Sequence, residues 1–416
     1  MARVAVIGAG ISGLATAEWL ADHGDPVVFE AGAEPGGNVR TERVDGIVFE
    51  RAANEFLDTE PAMEALLQRV GLAERQVQAS KGARYVVVGG QMVALPTSIL
   101  RFAASPVLTP AGKLRLLTEP FRGRGEPQES IASFVRRRIG PQALERLVGP
   151  MVSGIYAGDP EQLSLAACFP KMRQMEEDYG SLVIAGLTRA TLSKAAAGPP
   201  GHLTSLQGGI GTLTETLAAR RGDALHTATP VTGLERHGEG WRVLTEGGST
   251  EVDAVVLACP GHAQAGILRP LDPTMADALD GIPYANIAVV ATALPADGWD
   301  PPSGFGVLIP RVEGMTILGT LFTSSIFRGH APEGTVTLRT MIGGATDPEA
   351  ASLDPQALLS IALEENVRLL NRGLPTPTAW RVYAWPRGIP QYTLGHLSRV
   401  ARVRQAQGRL PGLFVT

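Results

Sequence analysis

Three patterns in the 416-residue sequence predict a fold of the α/β (α+β multi-domain) class. A short apolar strand, a glycine-rich turn, a helix and a second apolar strand open the chain between Met1 and Glu30. Helical patterns largely replace strands between about Lys81 and Pro200, and apolar runs rich in β-branched residues then return. These patterns indicate a nucleotide-binding domain interrupted by a helical domain and by a substrate domain on a mixed or antiparallel sheet.

The opening segment has the order of a dinucleotide-binding βαβ unit. Its turn consists of Gly8, Ala9, Gly10, Ile11, Ser12 and Gly13. Gly8 permits a tight turn, Gly10 lets a pyrophosphate approach the backbone, and Gly13 lets helix and strand pack closely. Glu30, at the end of the second strand, is placed to accept hydrogen bonds from both hydroxyls of a ribose. We predict a Rossmann-like domain here; the alternative is an ordinary strand–turn–helix crossover with glycines for geometry only.

The loop that follows Glu30 favours FAD over NAD. It runs from Ala31 to Arg40 with the sequence AGAEPGGNVR. Large flavoproteins often carry such a loop over the pyrophosphate, so Gly36, Gly37 and Arg40 are predicted FAD contacts. The alternative is a solvated loop arginine. A hairpin is predicted over residues 44–57, crossing back toward the nucleotide.

Composition argues against several classes of function. The formal net charge is −4, which gives no support to nucleic-acid binding. The seven histidines are scattered without a pair at metal-ligand spacing, so no metal site is predicted. No apolar run approaches ~18 residues, and Met1 leads straight into a strand, so neither a spanning helix nor a cleaved signal peptide is predicted. Cys168 and Cys259 predict buried apolar side chains in a reducing compartment, with a disulfide as the alternative.

The helical segment combines apolar and basic residues. Helices are predicted over residues 98–102, 112–117, 130–139 and 141–152, and a linker over 195–201. The basic residues in this segment are Lys113, Arg115, Arg122, Arg124, Arg136, Arg137 and Arg138. Such helices can rest on an anionic membrane surface; the alternative is a solvated basic face on a helical insertion.

The later part of the chain predicts a resumed nucleotide-binding domain and a second sheet. In the first part, residues 206–219 begin with Gln-Gly-Gly-Ile-Gly and are expected to continue as an amphipathic helix, and strands are expected over 229–236, 241–245 and 252–258. The second sheet is expected from residues 287–293, 306–309, 316–321 and 335–342, with a helix over 355–370.

Six stretches of this sequence resemble the oxygen-dependent protoporphyrinogen oxidase family, within the wider group of flavin amine oxidases. They are VAVIGAGISGLATA (4–17), RYVVVGGQMVALP (84–96), SGIYAGDPEQLSLAACFP (153–170), SGFGVLIP (303–310), MIGG (341–344) and WPRGIPQYTLGH (385–396). The resemblance implies a discontinuous FAD-binding domain (1–80, 202–265 and 385–416). It also implies a helical, membrane-binding domain (92–200) and a substrate-binding domain (81–91 and 266–384).

The resemblance adds Asn38 and Val231 to the FAD contacts that the residue pattern predicts. Where the family commonly has a Gly-Pro-Asn/Asp-Ser type segment near the flavin, this chain has Ala52, Ala53, Asn54 and Glu55. Trp385 is also predicted to contact the flavin. In the amine-oxidase alternative, Trp385 and Tyr392 are the candidates for the aromatic cage that usually covers the flavin. In the family, a strand like that of residues 412–416 leads into a further glycine-rich flavin motif, which this sequence does not include.

The activity that the resemblance implies is the FAD- and O₂-dependent six-electron oxidation of protoporphyrinogen IX to protoporphyrin IX, with release of H₂O₂. Arg84 would meet a substrate propionate, the Gly154 carbonyl would face pyrrole N–H groups, and the pocket walls would be Phe305, Leu308 and Met341. No side chain is predicted as catalytic, because the flavin carries the chemistry. The alternatives are coproporphyrinogen III as substrate, another flavin amine oxidase or desaturase, and a non-catalytic porphyrin-binding protein.

The expected partners are the porphyrinogen, O₂ and a membrane surface, bound monotopically, with no nucleic acid. A homodimer and a haem-pathway protein are further expected partners. The expected location is cytoplasmic, peripheral on the cytoplasmic face of the cell membrane.

Overall fold

The computed structural model describes residues 1–192, 201–297 and 303–416, so the predicted linker lies outside them except for Gly201. The strands in these ranges are β1 Ala2–Ile7, β2 Gly24–Phe29, β3 Thr41–Val44, β4 Ile47–Glu50, β5 Phe56–Leu57, β6 Gln76–Gln78, β7 Arg84–Val88, β8 Gln91–Ala94, β9 Leu203–Leu206, β10 Leu225–His226, β11 Val231–His237, β12 Gly240–Thr245, β13 Gly248–Val252, β14 Ala254–Leu257, β15 Tyr284–Pro295, β16 Gly306–Leu308, β17 Ile317–Leu321, β18 Thr335–Gly343, β19 Ala379–Pro390 and β20 Leu413–Val415.

The α-helices in the same ranges are α1 Ile11–Leu20, α2 Pro61–Arg69, α3 Ile99–Ala104, α4 Pro110–Leu117, α5 Ile131–Arg138, α6 Pro141–Ala143, α7 Gly149–Tyr156, α8 Leu165–Cys168, α9 Pro170–Tyr179, α10 Leu182–Leu192, α11 Gly211–Arg221, α12 Gly261–Leu268, α13 Pro273–Asp280, α14 Thr323–Ile326, α15 Pro355–Leu370 and α16 His396–Gln407. Short 3₁₀ turns cover Ala73–Arg75, Glu119–Phe121, Gly222–Ala224, Arg311–Glu313 and Ala350–Ser352.

The described chain forms two compact units. Unit 1 contains Met1–Gln78, Gly201–Ile282 and Leu397–Thr416, and unit 2 contains the described residues of 79–200 and 283–396. Unit 2 therefore holds both the helical segment and the second sheet, which the sequence predicts as separate domains.

Unit 1 is built on a five-stranded parallel sheet with the order β10-β2-β1-β14-β20. Residues 4–7 of β1 are all buried, as expected of a central parallel strand that is covered on both faces. The predicted strand over 252–258 divides at Asp253. Val252 is the last residue of β13, in the antiparallel sheet β11-β12-β13, and β14 belongs to the parallel sheet. The predicted hairpin over 44–57 is shifted, since β3 pairs with β4 across residues 41–50.

Unit 2 contains a seven-stranded sheet with the order β19-β15-β18-β17-β16-β7-β8. Only the β16–β7 pair of this sheet is parallel. One face packs on α15, which covers the residues that the sequence predicts, 355–370. The hairpin β7–β8 lies in the stretch for which mainly helices are predicted, and β19 is a strand that the sequence analysis does not predict. The parallel and mixed sheets together confirm the predicted fold class.

One predicted helix, over 141–152, is broken into three segments. A π-helical turn over Leu144–Val148 separates α6 from α7, with the Gly149 N–H bonding the Leu144 carbonyl. Pro150 explains the break, because proline has no N–H and its ring crowds the carbonyl four residues earlier.

None of the helices in the described ranges combines the length and apolar character that crossing a membrane requires. Cys168 is buried and Cys259 is half-buried, and both are free thiols.

Candidate active site

The glycine turn of unit 1 leaves one face of its backbone open. A Cβ at Gly8 would lie 2.9 Å from the Ala258 backbone, and a Cβ at Gly13 would lie 1.9 Å from the Gly8 carbonyl oxygen, so the fold itself requires these two glycines. At Gly10, in contrast, no atom of the described residues beyond its immediate chain neighbours lies within 4 Å of the Cβ position. The space in front of Gly10, at the N-terminus of α1, therefore fits a group that approaches the backbone, as the FAD pyrophosphate would.

Glu30 lies beside this turn and is held by backbone groups. Its Oε2 accepts a hydrogen bond from the Ala9 N–H at 2.7 Å, and its Oε1 accepts one from the Gly32 N–H at 2.8 Å. Its own N–H donates to the His226 carbonyl on β10. Each carboxylate oxygen keeps a second lone pair, so Glu30 can still accept hydrogen bonds from ribose hydroxyls.

The loop of residues 31–40 is fixed against the turn. The Gly36 N–H donates to the Ala9 carbonyl at 2.8 Å. A Cβ at Gly37 would lie 3.2 Å from the Gly10 Cα. Arg40 donates through Nε to the Gly37 carbonyl at 3.1 Å, and burial together with the nearby Arg51 lowers the pKa of its guanidinium. The structure thus places the glycine pair of this loop against the turn and bonds Arg40 to that pair.

Residues 51–55 run alongside the same loop. The Arg51 N–H donates to the Arg40 carbonyl at 2.9 Å, and the Ala53 N–H donates to the Asn38 carbonyl at 3.0 Å. Asn54 is buried and donates to the Glu55 carboxylate at 2.6 Å. The sequence pattern does not single out Arg51, whose side chain shares the Glu34 carboxylate with Arg40.

The remaining predicted contacts of unit 1 lie on three elements. Ile11 and Ser12 begin α1, Ala31 follows β2 and is exposed, and Val231 begins β11 and packs on the core of unit 1.

Two of the predicted pocket walls of unit 2, Leu308 and Met341, lie on one face of its sheet. Leu308 pairs with Gly319, and Gly319 pairs with Met341, so the two larger side chains flank a glycine on adjacent strands. A Cβ at Gly154 on α7 would lie 2.6 Å from Leu308 Cδ2, so this glycine allows α7 to pack closely on the sheet. Trp385 on β19 belongs to the same apolar cluster as Met341.

Arg84 begins β7 at the edge of this apolar face. Its guanidinium carbon lies 4.9 Å from the centre of the Phe305 ring, a cation–π contact. Arg84 is exposed, whereas Phe305 is half-buried. The pair combines a fixed cation with an aromatic surface.

Two further arginines share the row of Arg84 across the sheet. The register runs from Arg84 through Gly306 and Leu321 to Arg339, and then through Ala291 to Arg381. Residues in register point to the same face, which is also the face of Met341, two residues from Arg339. At about 4.8 Å between strands, Arg84 and Arg339 lie about 14 Å apart, and Arg339 and Arg381 about 10 Å. The sequence could not reveal this row, because it depends on strand register.

The arginine run of the helical segment is largely internal. Arg138 is fully buried and pairs with Glu119 and Glu176, while Arg137 pairs with Glu129 and Glu176. Burial raises the pKa of Glu176, but the hydrogen bonds from the two arginines outweigh this and lower it. Arg136 pairs with Glu161, and Arg115 donates to the carbonyls of residues 136–138.

Apolar side chains are exposed in the same segment. They lie on α3, on α4 and in the following 3₁₀ turn: Leu100 (85%), Leu114 (64%), Leu117 (73%) and Phe121 (88%). We call these four residues the apolar patch. Among the residues that the structure describes, no group of three His, Cys, Asp or Glu side chains is placed to hold a metal ion.

Known proteins are similar to this chain in sequence and in fold. The family model of flavin containing amine oxidoreductases matches residues 11–416. The chain is 31% identical to the chloroplastic protoporphyrinogen oxidase of Nicotiana tabacum, over 99% of this chain and 80% of that protein. It is 30% identical to the coproporphyrinogen III oxidase of Bacillus subtilis (strain 168), over 100% of this chain and 93% of that protein.

A solved structure shares the fold. The crystal structure of a provisionally named protoporphyrinogen oxidase from Exiguobacterium sp. 255-15 superposes with a TM-score of 0.86 at 23% identity, over 100% of this chain and 93% of that one. At this identity the likeness shows the fold alone.

Proposed function

This chain belongs to the family of flavin containing amine oxidoreductases, and from that premise we propose that it oxidises a porphyrinogen to the corresponding porphyrin. Membership confirms the predicted enzyme class, a flavin oxidoreductase, and the predicted cofactor, FAD. The observation that carries the proposal is the face of the unit 2 sheet on which Leu308 and Met341 flank Gly319, with Arg84 at its edge. Such a face suits a broad apolar macrocycle that carries carboxylates.

The reaction needs an electron acceptor and a substrate that is held in a fixed orientation and shielded from water. When bound, FAD supplies a two-electron acceptor that O₂ reoxidises with release of H₂O₂, so the removal of six electrons and six protons takes three rounds. Gly10, Glu30 and the loop of residues 31–40 would hold FAD. The Arg84 guanidinium would grip a propionate, and its planar shape allows two parallel hydrogen bonds to one carboxylate. Leu308 and Met341 would exclude water from the bridge carbons.

We propose protoporphyrinogen IX, with two propionates, as the substrate. Coproporphyrinogen III, with four, is a second candidate, because Arg339 and Arg381 lie in the same row as Arg84. The 30% identity to a coproporphyrinogen III oxidase supports considering it.

The test is to supply each porphyrinogen anaerobically, admit O₂, and follow porphyrin fluorescence and H₂O₂ release. The proposal expects about three H₂O₂ per porphyrin. If the arginine row of the unit 2 sheet selects coproporphyrinogen III, Arg339→Gln and Arg381→Gln should lower kcat/KM for this four-propionate substrate more than for protoporphyrinogen IX. Porphyrin binding without turnover by the flavin-loaded protein would contradict the proposed activity.

We also propose that the apolar patch seats the chain peripherally on the cytoplasmic face of a membrane. Four exposed apolar side chains on neighbouring short elements support this, and exposed Arg101 and Arg122 lie close to them in sequence. Co-sedimentation with phosphatidylcholine vesicles containing phosphatidylglycerol tests it, with Leu117→Ser and Phe121→Ser expected to reduce the bound fraction. Equal binding by these variants would contradict it. The homodimer and the haem-pathway partner stay predictions.

A further inference from the structure

We infer that Glu50, acting with Thr41, positions the FAD-binding loops of unit 1. Glu50 is the last residue of β4 and is only 4% exposed. One of its carboxylate oxygens accepts the Ile210 N–H at 2.7 Å, and the other accepts the Thr41 hydroxyl at 2.6 Å. The Thr41 oxygen in turn accepts the Gly211 N–H at 2.8 Å. A buried carboxylate bonded in this way fixes each of its partners, because leaving any of them unpaired is costly.

The two backbone groups that this pair binds lie at the start of α11. The first N–H groups of a helix have no partner within the helix, and Ile210 provides no side-chain cap. Glu50 and Thr41 thus cap α11 from the paired strands β4 and β3, with a negative charge at the favourable end of the helix. The close approach needs glycines, because a Cβ at Gly209 would lie 2.4 Å from Thr41 Cγ2. This accounts for Gly209 and Gly211 of the Gln-Gly-Gly-Ile-Gly motif.

The same elements hold both predicted flavin segments. In the first turn of α11, the Thr214 hydroxyl donates to the Val39 carbonyl at 2.7 Å, within the loop of residues 31–40. Directly after Glu50, the chain bonds that loop again through the Ala53 N–H and the Asn38 carbonyl. Glu50 therefore connects the end of β4 to the start of α11, and the chain next to each of these bonds the loop of residues 31–40. It acts through these backbone segments and is a positioning residue.

The test uses three variants of the full flavin-loaded chain. Glu50→Gln keeps the size of the side chain but removes its charge, Thr41→Val removes the hydroxyl, and Thr41→Ser keeps it. The FAD dissociation constant is measured from the rise of flavin fluorescence on dilution, well below the melting temperature. Glu50→Gln and Thr41→Val should raise it roughly tenfold or more, as expected for loss of a hydrogen bond to a charged group. Thr41→Ser should stay near the parent value.

Glu18 provides the matched control. It is fully buried in α1 and binds Arg220 and Arg221 at the opposite end of α11. Glu18→Gln should lower the melting temperature while leaving the FAD dissociation constant within about twofold, because it touches neither flavin segment.

The inference is overturned if Glu50→Gln and Thr41→Val bind FAD like the parent. It is also overturned if Glu18→Gln weakens binding as much as they do, since the effect would then be general destabilisation. Should Glu50→Gln fail to fold, equal affinities for Thr41→Val and Thr41→Ser would still refute it.

Discussion

Replacing Gly10 by valine should abolish FAD binding while leaving the fold nearly unchanged. Gly10 has φ −72° and ψ 179°, which any L-residue can adopt, and within the described part of the chain no atom beyond its immediate neighbours lies within 4 Å of its Cβ position. The folding cost is then about 1 kcal/mol or less, that of a poor N-cap residue. A bound pyrophosphate, however, would be pushed away from the N–H groups of α1. Losing two charge-assisted hydrogen bonds of about 1.5–3 kcal/mol each would weaken FAD binding at least ~100-fold.

The assay pairs thermal unfolding of the apoprotein with FAD binding. The Gly10→Val protein should melt within a few degrees of the parent but be colourless after purification, and again colourless once it has been mixed with FAD and the unbound FAD removed. Gly13→Ala is the contrast: its Cβ would lie 1.9 Å from the Gly8 carbonyl oxygen, so this smaller change should lower the melting temperature. The reasoning fails if Gly10→Val retains FAD tightly, or if it unfolds as readily as Gly13→Ala.

Three further outcomes follow from the same structure. Arg84→Ala should lower kcat/KM about 10- to 100-fold, for a lost charged hydrogen bond of ~1.5–3 kcal/mol, with an unchanged flavin spectrum; unchanged kinetics would remove Arg84 from the site. Arg138→Ala should reduce the unfolding free energy by about 3–5 kcal/mol in urea titration, because it leaves buried carboxylates uncompensated; a loss below ~1 kcal/mol would contradict this. The pKa of Glu176 is lowered in the folded protein, so ionised Glu176 contributes its full share of the unfolding free energy above the unfolded-state pKa of about 4.3. This contribution is lost as the pH falls through the folded-state pKa. Glu176→Gln should therefore flatten the decline of the unfolding free energy in acid.

The glycine turn could be predicted from the sequence because its information is local. Gly8, Gly10, Gly13 and Glu30 lie within one βαβ unit, and each spacing has a direct geometric reason. The structure adds a distinction that spacing cannot give: the protein's own backbone requires Gly8 and Gly13, whereas the described residues leave the Cβ position of Gly10 open.

The polar contacts that support the turn could not be predicted in this way. Glu50 and Ile210 are 160 residues apart, and Thr41 and Gly211 are 170 apart, so no window of sequence contains both partners. The arginine row of unit 2 depends on register across six strands, and one of these, β19, is not predicted at all. Both features arise only when the strands are paired.

The arginine run of α5 shows how composition can point to the wrong surface. Three successive arginines suggest a basic face, but successive helical positions point in different directions, and only Arg136 is exposed. Arg138 faces inward, where Glu119 and Glu176 neutralise it. The cost of burying these charges is offset only by such pairing, so the run serves the packing of the helical segment. A membrane contact would therefore depend on the apolar patch more than on this run, and high salt should weaken vesicle binding only modestly.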